Sequence, residues 1–317
     1  MRDLIVGVDL GATKILTGLG TESGQILRKV KINTPQDEPE KVLEAIVESI
    51  TSIIGTTDYE HDRIIGIAVA APGPISYPAA VIEDSPNLGW KRVELREELT
   101  GRLKRPVLVD KDTNLAAWGE YHFGQKGCYP NLLYLTVSTG IGGGIIINDQ
   151  LYHGHQGGGG EFGHMVIDST GPECNCGRQG CLEALASGTA IAKQLQDLIK
   201  TGKGQNILAC RTGESLGAPE LGRAARQGDP EALTIVEDLS RSLGIGIANL
   251  VNIFNPDIVV MGGGVMLGLQ DLLLEPVKKY VGEKAFALHR RDLIIEITKL
   301  GNDIGLYGCF AAIARGY

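Results

Sequence analysis

The chain has 317 residues, with 30 Lys and Arg against 38 Asp and Glu, a formal net charge of −8. This acidic balance argues against nucleic acid or an anionic membrane as the main partner, and 43% apolar with 21% charged residues excludes a disordered chain. The length exceeds what one hydrophobic core usually supports, so two domains are expected. No apolar run approaches the roughly 20 residues needed to span a bilayer, and the N-terminal run has no signal-peptide shape, so the reading is a cytosolic protein. Glycine contributes 44 residues, about twice the usual share, and three of the six cysteines fall between Cys174 and Cys181. In a reducing compartment that clustering suggests metal rather than disulfides.

The first thirty residues predict strand, turn, strand, strand: an apolar run at 4–8, a turn at 9–14, an apolar run at 15–19 and a third strand at 25–33. From about Glu40, Val42, Leu43, Ile46, Val47, Ile50, Ile53 and Ile54 recur at helical spacing and build one apolar stripe. Residues 64–71 are almost entirely apolar, as a central strand buried on both faces would be. A short helix at 93–103, a strand at 107–109 and a helix from Asp112 to about Phe123 follow. The pattern then restarts: a strand at 132–137, a Gly-rich turn at 138–144 and a strand at 145–147 repeat the layout of 4–19. Asp229-Pro230-Glu231 is a helix start, with Asp as N-cap and Pro at the first helical position, and Asn255-Pro256-Asp257 stops that helix. A strand at 258–261 feeds Gly262-Gly263-Gly264, alternation at 293–297 predicts a late strand, and 304–315 a terminal helix. Mixed strands and helices without a long linker predict two packed α/β lobes.

Four segments suggest phosphate or proton chemistry, each beside a simpler structural role. Asp9-Leu10-Gly11-Ala12-Thr13-Lys14 is a tight turn whose backbone N–H groups could cradle a phosphate, with Asp9 able to hold a hydrated Mg²⁺; an ordinary hairpin turn would look the same. Ser138 to Gly144 is a second such turn, where Thr139 and Gly140 could meet outer phosphates, and a bulged hairpin is the plain alternative. Gly263 and Gly264 could admit an adenine or a phosphate, or simply link a strand to a helix. Asp112 follows a strand at a helix start, where it would serve as a cap or as a general base taking a proton from a hydroxyl. Two phosphate-type turns, one in each half, favour a triphosphate gripped by two lobes.

His164 with Cys174, Cys176 and Cys181 offers one imidazole and three thiolates, the donor set of a closed tetrahedral zinc site. With four protein ligands such a zinc is structural. Glu161 and Glu183 flank these ligands, and a metal-stiffened loop would fix both as hydroxyl acceptors; Asn87, in Pro86-Asn87-Leu88, carries both donor and acceptor in a turn.

Together these segments resemble the ROK family of repressors, open reading frames and sugar kinases, and most closely its bacterial glucokinases. Asp9 to Lys14 resembles the family's first phosphate loop, Pro86-Asn87-Leu88 its sugar-contacting turn, and Asp112 with Asn114 the segment that carries the catalytic Asp. Gly160-Glu161-Phe162-Gly163-His164 and Cys174-x-Cys-Gly-x-x-Gly-Cys181-x-Glu183 match two signature segments in order and spacing. The resemblance implies the two-lobed, actin-like ATPase (ribonuclease H-like) fold, each lobe a mixed sheet with flanking helices, with ATP and sugar in the cleft between. It places residues 1–113 and 303–317 in the N-terminal lobe and 114–302 in the C-terminal lobe with the zinc loop. It implies phosphorylation of a hexose 6-hydroxyl, glucose above all, with Asp112 as base. Gly73, Asn87, Lys111, Asp112, Glu161, His164 and Glu183 would hold the sugar, His164 also binding zinc through its other ring nitrogen. Asp9, Gly11, Ala12, Thr13, Lys14, Thr139, Gly140, Gly263 and Gly264 would serve ATP and Mg²⁺, and a homodimer or homotetramer is implied.

Three residues depart from the family pattern: Ala12 where Gly is frequent, Thr113 for the usual Ala, and Lys111 where sugar kinases usually have an Asn that touches the sugar. Lys can donate to a hydroxyl but cannot accept, which leaves the sugar open among glucose, mannose, fructose, N-acetylglucosamine and N-acetylmannosamine. Polyphosphate remains an alternative donor. A sugar-sensing repressor is a further alternative, although the first predicted strand begins at about Leu4 and leaves no room for a preceding helix-turn-helix.

Overall fold

A computed structural model describes residues 3–36, 38–55, 63–85, 88–211 and 216–316. The chain falls into two compact units: Met1–Pro130 with Gly144–Gly160 and Asn302–Tyr317, and Asn131–Gly143 with Glu161–Gly301. In chain order the first elements are β1 (Leu4–Leu10), β2 (Lys14–Thr21), β3 (Ile26–Asn33), α1 (Pro39–Gly55), β4 (Ile64–Ala71), β5 (Ile82–Ser85), β6 (Trp90–Val93), α2 (Leu95–Leu103), β7 (Val107–Lys111) and α3 (Asp112–Gly119). Then come β8 (Leu132–Val137), β9 (Ile141–Ile147), β10 (Gln150–Leu151), α4 (Leu182–Ala186), α5 (Gly188–Lys200), α6 (Gln205–Ala209), α7 (Ala218–Arg226) and α8 (Pro230–Phe254). The last are β11 (Ile258–Gly262), α9 (Gly264–Gly268), α10 (Gln270–Lys284), β12 (Ile294–Ile297) and α11 (Ile304–Arg315).

The sheet of the first unit runs β3-β2-β1-β4-β7. β1 pairs antiparallel with β2 and parallel with β4, and β4 pairs parallel with β7. The register sets Asp9 beside Ala70 and Ala70 beside Asp110, so both carboxylates stand in one row across the sheet. One face buries Val6, Val8, Ile15 and Ile67 with the α1 stripe, Val42, Leu43, Ile46, Ile50 and Ile53. On the other, Ile5 and Leu16 meet Leu306 and Phe310 of α11. The glycine excess has its purpose on this second face. A Cβ on Gly7 would stand 2.8 Å from Cys309 Cβ, on Gly18 2.6 Å from Leu306, and on Gly66 2.6 Å from Ile313. The expected helix at 93–103 starts only at Leu95, because Trp90–Val93 forms β6 and pairs with β5.

α3 stays with the first unit, beyond the expected boundary at residue 113. Backbone packing explains this: a Cβ on Gly119 would meet the Gly308 nitrogen, and one on Gly308 would meet the Leu115 carbonyl.

In the second unit the strand order is β9-β8-β11-β12, with β11 parallel to both β8 and β12. β9 passes from the second unit into the first at Gly143–Gly144. Its glycines 142–144 were expected in a turn; they are strand residues, and the turn proper is confined to 138–140. Gly143 has to be small because the Phe162 ring occupies the space of a Cβ. α8 begins as expected, with the Asp229 side chain accepting from Ala232 N at 2.8 Å, and ends at Asn255 in the left-handed region, φ 45°. No helix among the described residues is long and apolar enough to cross a membrane.

Gly308→Ala should lower stability by about 1–3 kcal/mol, since the added methyl meets main chain that no rotamer change can move. Gly282→Ala, inside α10 with nothing within 4 Å of the new Cβ, should instead be neutral or stabilising by up to about 1 kcal/mol. Urea unfolding of the two variants beside the parent checks both.

Candidate active site and metal centre

The first unit carries the turn between β1 and β2. Gly11 N donates to Lys14 O at 2.9 Å, Thr34 N to Thr13 O at 3.2 Å, and Thr34 Oγ1 to Gly11 O at 2.7 Å. The side chain of Gln36 reaches Ala12 O at 3.3 Å. The 11–13 carbonyls are thus tied back to Thr34 and Gln36, which fixes the turn's shape at the end of β1. Asp9 lies beneath it, packed on Gly305 of α11. Burial pushes the Asp9 carboxyl up to about 6, against the pull of Lys14, and Asp303 adds to the rise.

Asp112 opens α3 and is partly exposed, its Oδ1 accepting from Thr113 N at 2.7 Å. Lys111 is buried at 4% exposure. Its aliphatic stem lies over Gly73, where a Cβ would come within 3.1 Å, and its ammonium donates to Gly159 O at 2.6 Å. The structure therefore gives Lys111 a main-chain partner, where the sequence suggested a donor to a sugar hydroxyl. Asp110 was not singled out from the sequence. Its Oδ1 accepts from Lys111 N at 2.6 Å and from Asn114 Nδ2 at 3.0 Å, and its Oδ2 lies 2.7 Å from His153 Nε2. The available signal was Asp at an even spacing from Asp112 on a strand end; nothing local marked His153, which sits 43 residues away. Asn87 lies outside the described residues.

The second unit carries the 138–141 turn. Gly188 N donates to Ser138 O at 2.7 Å, and Thr189 donates to Thr139 O from N at 3.1 Å and from Oγ1 at 2.9 Å. Glu183 Oε2 accepts from Ile141 N at 2.8 Å and occupies the space a Cβ on Gly140 would need. The start of α5 and the first turn of α4 therefore hold residues 138–141. Gly263, at φ 90°, leads into α9 with the Val137 carbonyl against its Cα; the turn at Gly263 and Gly264 is built around that close approach.

His164 ends a 3₁₀ turn, Phe162–His164, and Cys181 is the residue before α4. The donor atoms of His164, Cys174, Cys176 and Cys181 all lie within 4.8 Å of one another. Cys174 Sγ stands 3.8 Å from His164 Nδ1, and Cys176 Sγ 3.6 Å from Cys181 Sγ. Four ligands about 2.3 Å from a central zinc would stand about 3.8 Å apart, so the spacing is that of a tetrahedral site. Burial pushes the Cys174 and Cys181 thiols up, while the Arg178 backbone N–H holds Cys176 down at about 7; three thiolates here need a compensating cation. The residues fit zinc, with Nδ1 as the histidine donor. Glu161 directly precedes the 3₁₀ turn, and His164 N donates to its carbonyl at 3.1 Å.

The model of the ROK family matches residues 5–315. A glucokinase of Streptomyces coelicolor is 35% identical over 317 residues, covering 98% of each chain. A xylose repressor of Caldicellulosiruptor bescii is 31% identical over 98% of this chain and 77% of its own length. Among solved structures, a ROK family glucokinase from Streptomyces griseus in complex with glucose and AMPPNP superposes with a TM-score of 0.82 and 32% identity, covering 99% of this chain and all of that one. The fold is accordingly the actin-like ATPase fold.

The Asp9 shift has a measurable sign. The folded value, about 6, lies above the ordinary aspartate value of 3.8, so between these pH values the native state keeps a proton that the unfolded chain releases. Stability from this group is fully present below pH 3.8 and is lost as pH rises through about 6, by up to about 3 kcal/mol. In Mg²⁺-free buffer Asp9→Asn should therefore exceed the parent in thermal midpoint at pH 8, with the gap narrowing toward pH 5. A constant gap across that range would refute the assignment.

Proposed function

The chain belongs to the ROK family, and from that premise we propose that it is an ATP-dependent sugar kinase transferring phosphate to a hexose 6-hydroxyl, with glucose as the leading substrate. The observation that carries this reading is Asp112, a carboxylate seated at the strand-to-helix junction and held by main chain, in a protein similar along its whole length to a glucokinase crystallised with glucose and AMPPNP. Asp112 takes the hydroxyl proton as the oxygen attacks the γ-phosphorus in line. The 11–14 and 138–141 turns offer backbone N–H groups and the hydroxyls of Thr13 and Thr139 to the phosphates, Lys14 adds a cation, and Asp9 holds the water shell of Mg²⁺. Gly263 shapes the turn, and Gly264, where a Cβ would meet only Ser138 Oγ at 3.8 Å, leaves room for the nucleotide. Gly73, Asn87, Glu161, His164 and Glu183 hold the sugar.

The His164, Cys174, Cys176 and Cys181 set holds a structural zinc. With a zinc held there, the loop between Glu161 and Glu183 would be braced and His164 Nε2 would be left to meet a hydroxyl, a positioning role outside the chemistry. The protein works in the cytosol on small molecules, as a homo-oligomer.

A coupled phosphorylation assay over glucose, mannose, fructose, N-acetylglucosamine and N-acetylmannosamine, with ATP and with polyphosphate, tests the reading. Glucose with ATP should give the highest kcat/KM; absence of turnover on every pair, with sugar binding retained, would favour a repressor role, as in the name of the C. bescii relative. Asp112→Asn should bind sugar and ATP but lose about 10²–10⁴-fold in kcat. Chelation should strip one zinc per chain and lower the thermal midpoint, with recovery on adding zinc back, since structural zinc supplies several kcal/mol to folding. A metal-free preparation of full stability would refute the zinc assignment.

A further inference from the structure

Among the described residues of the first unit, Asp110, His153, Tyr77, Lys111 and Asn114 form a connected cluster. His153 and Asp110 are buried, with side-chain exposures of 8% and 6%, and their Nε2···Oδ2 separation is 2.7 Å. The Tyr77 ring stacks on the His153 ring, centroids 3.8 Å apart and planes 18° from parallel. The other Asp110 oxygen accepts from Lys111 N and Asn114 Nδ2. These donors lie one residue before and two residues after Asp112. Asn114 commits its amide donor to Asp110, while its buried Oδ1 has no hydrogen-bond partner among the described residues, so it is Asp110 that orients this side chain.

The arrangement answers a local problem. A helix N-terminus needs acceptors for its free N–H groups. The N-cap of α3 is Lys111, which makes no capping bond from its side chain. Asp110 and Asp112 supply carboxylate acceptors in its place. A carboxylate so placed can rotate about χ2 unless its second oxygen is held, and His153 Nε2 is what holds it. Lys111 closes a second link, from its ammonium to Gly159 O, and Tyr77 N donates to Gln156 O at 3.3 Å. The 153–159 segment is thereby fastened to the strand end that bears Asp112.

We infer that His153 is a positioning residue for Asp112: acting through Asp110, it sets the rotation of the first turn of α3 and so the direction in which the Asp112 carboxylate points. The inference rests on the kinase reading, in which Asp112 is the base.

The test is steady-state kinetics with ATP and the sugar turned over fastest in the panel, on His153→Ala, His153→Gln, Asp110→Asn and the His153→Ala/Asp110→Asn pair. Misplacement of a reacting group by about 1 Å can cost about 10²-fold. His153→Ala should accordingly lower kcat by about 10- to 100-fold, with sugar KM moving less than about 3-fold. His153→Gln, whose amide can still donate to Asp110 Oδ2, should recover most of the loss. The double variant should be no worse than the poorer single one, as expected of two residues acting as one unit. Where His153→Ala does not fold, His153→Asn, too short to reach Asp110, replaces it. Wild-type kcat in His153→Ala or His153→Asn overturns the inference, as does a Gln variant no better than Ala or a loss confined to KM. Asp112→Asn, run in parallel, separates the two readings: full turnover there sinks the kinase mechanism itself, whereas a dead Asp112→Asn beside an unaffected His153 series sinks only the positioning role.

Discussion

The first unit depends on how closely α11 can approach its sheet. Gly7, Gly18 and Gly66 leave no side chain between strand and helix, and Cys309, Leu306 and Ile313 fill the space a Cβ would have taken. Close-packed interiors leave no slack for an extra methyl group at such points. The same closeness brings Gly305, at the start of α11, against Asp9 at the end of β1, and brings Gly308 against α3. Two acidic residues in one row of the sheet, Asp9 and Asp110, therefore face helix starts that this packing has drawn in.

Those two carboxylates sit in unlike settings. Asp9 is pushed up toward 6 because burial outweighs the attraction of Lys14; its ionised form is costly until a cation comes to it. Asp110 is the more buried of the pair but takes hydrogen bonds on both oxygens, which is how a buried acid is ordinarily tolerated. Lys111 between Asp110 and Asp112 follows the same rule, its ammonium resting on a main-chain carbonyl. A residue that looked like a change in substrate recognition is, in the folded chain, also a strut.

The second unit uses metal-type donors where the first uses packing. Between His164 and Gln179 only Cys174 is buried, and a tetrahedral set of thiolate and imidazole donors could hold such a loop in one shape. Because Cys181 immediately precedes α4, such anchoring would also fix Glu183 in the first turn of that helix, and Glu183 in turn holds the main chain at Ile141. The His/Cys cluster, the helix start and the 138–141 turn are mechanically one piece.

Local patterns of residues were enough to place most strands and helices: the stripe of α1, the doubly buried β4, the Asp229-Pro230 start of α8 and the stop at Asn255 all follow from periodicity and capping, which act within a few residues. The cluster of His164, Cys174, Cys176 and Cys181 was legible for the same reason, since donor chemistry and short spacing restrict what it could hold. What the sequence did not disclose is whatever depends on distant segments meeting. The Gly142–Gly144 run looked like a turn because glycine there answers to Phe162, some twenty residues on. α3 belongs with α11 because of a main-chain contact across nearly two hundred residues. His153 carried no local mark at all, because its meaning lies in Asp110, and only the folding of the 144–160 segment back onto the first sheet puts the two together.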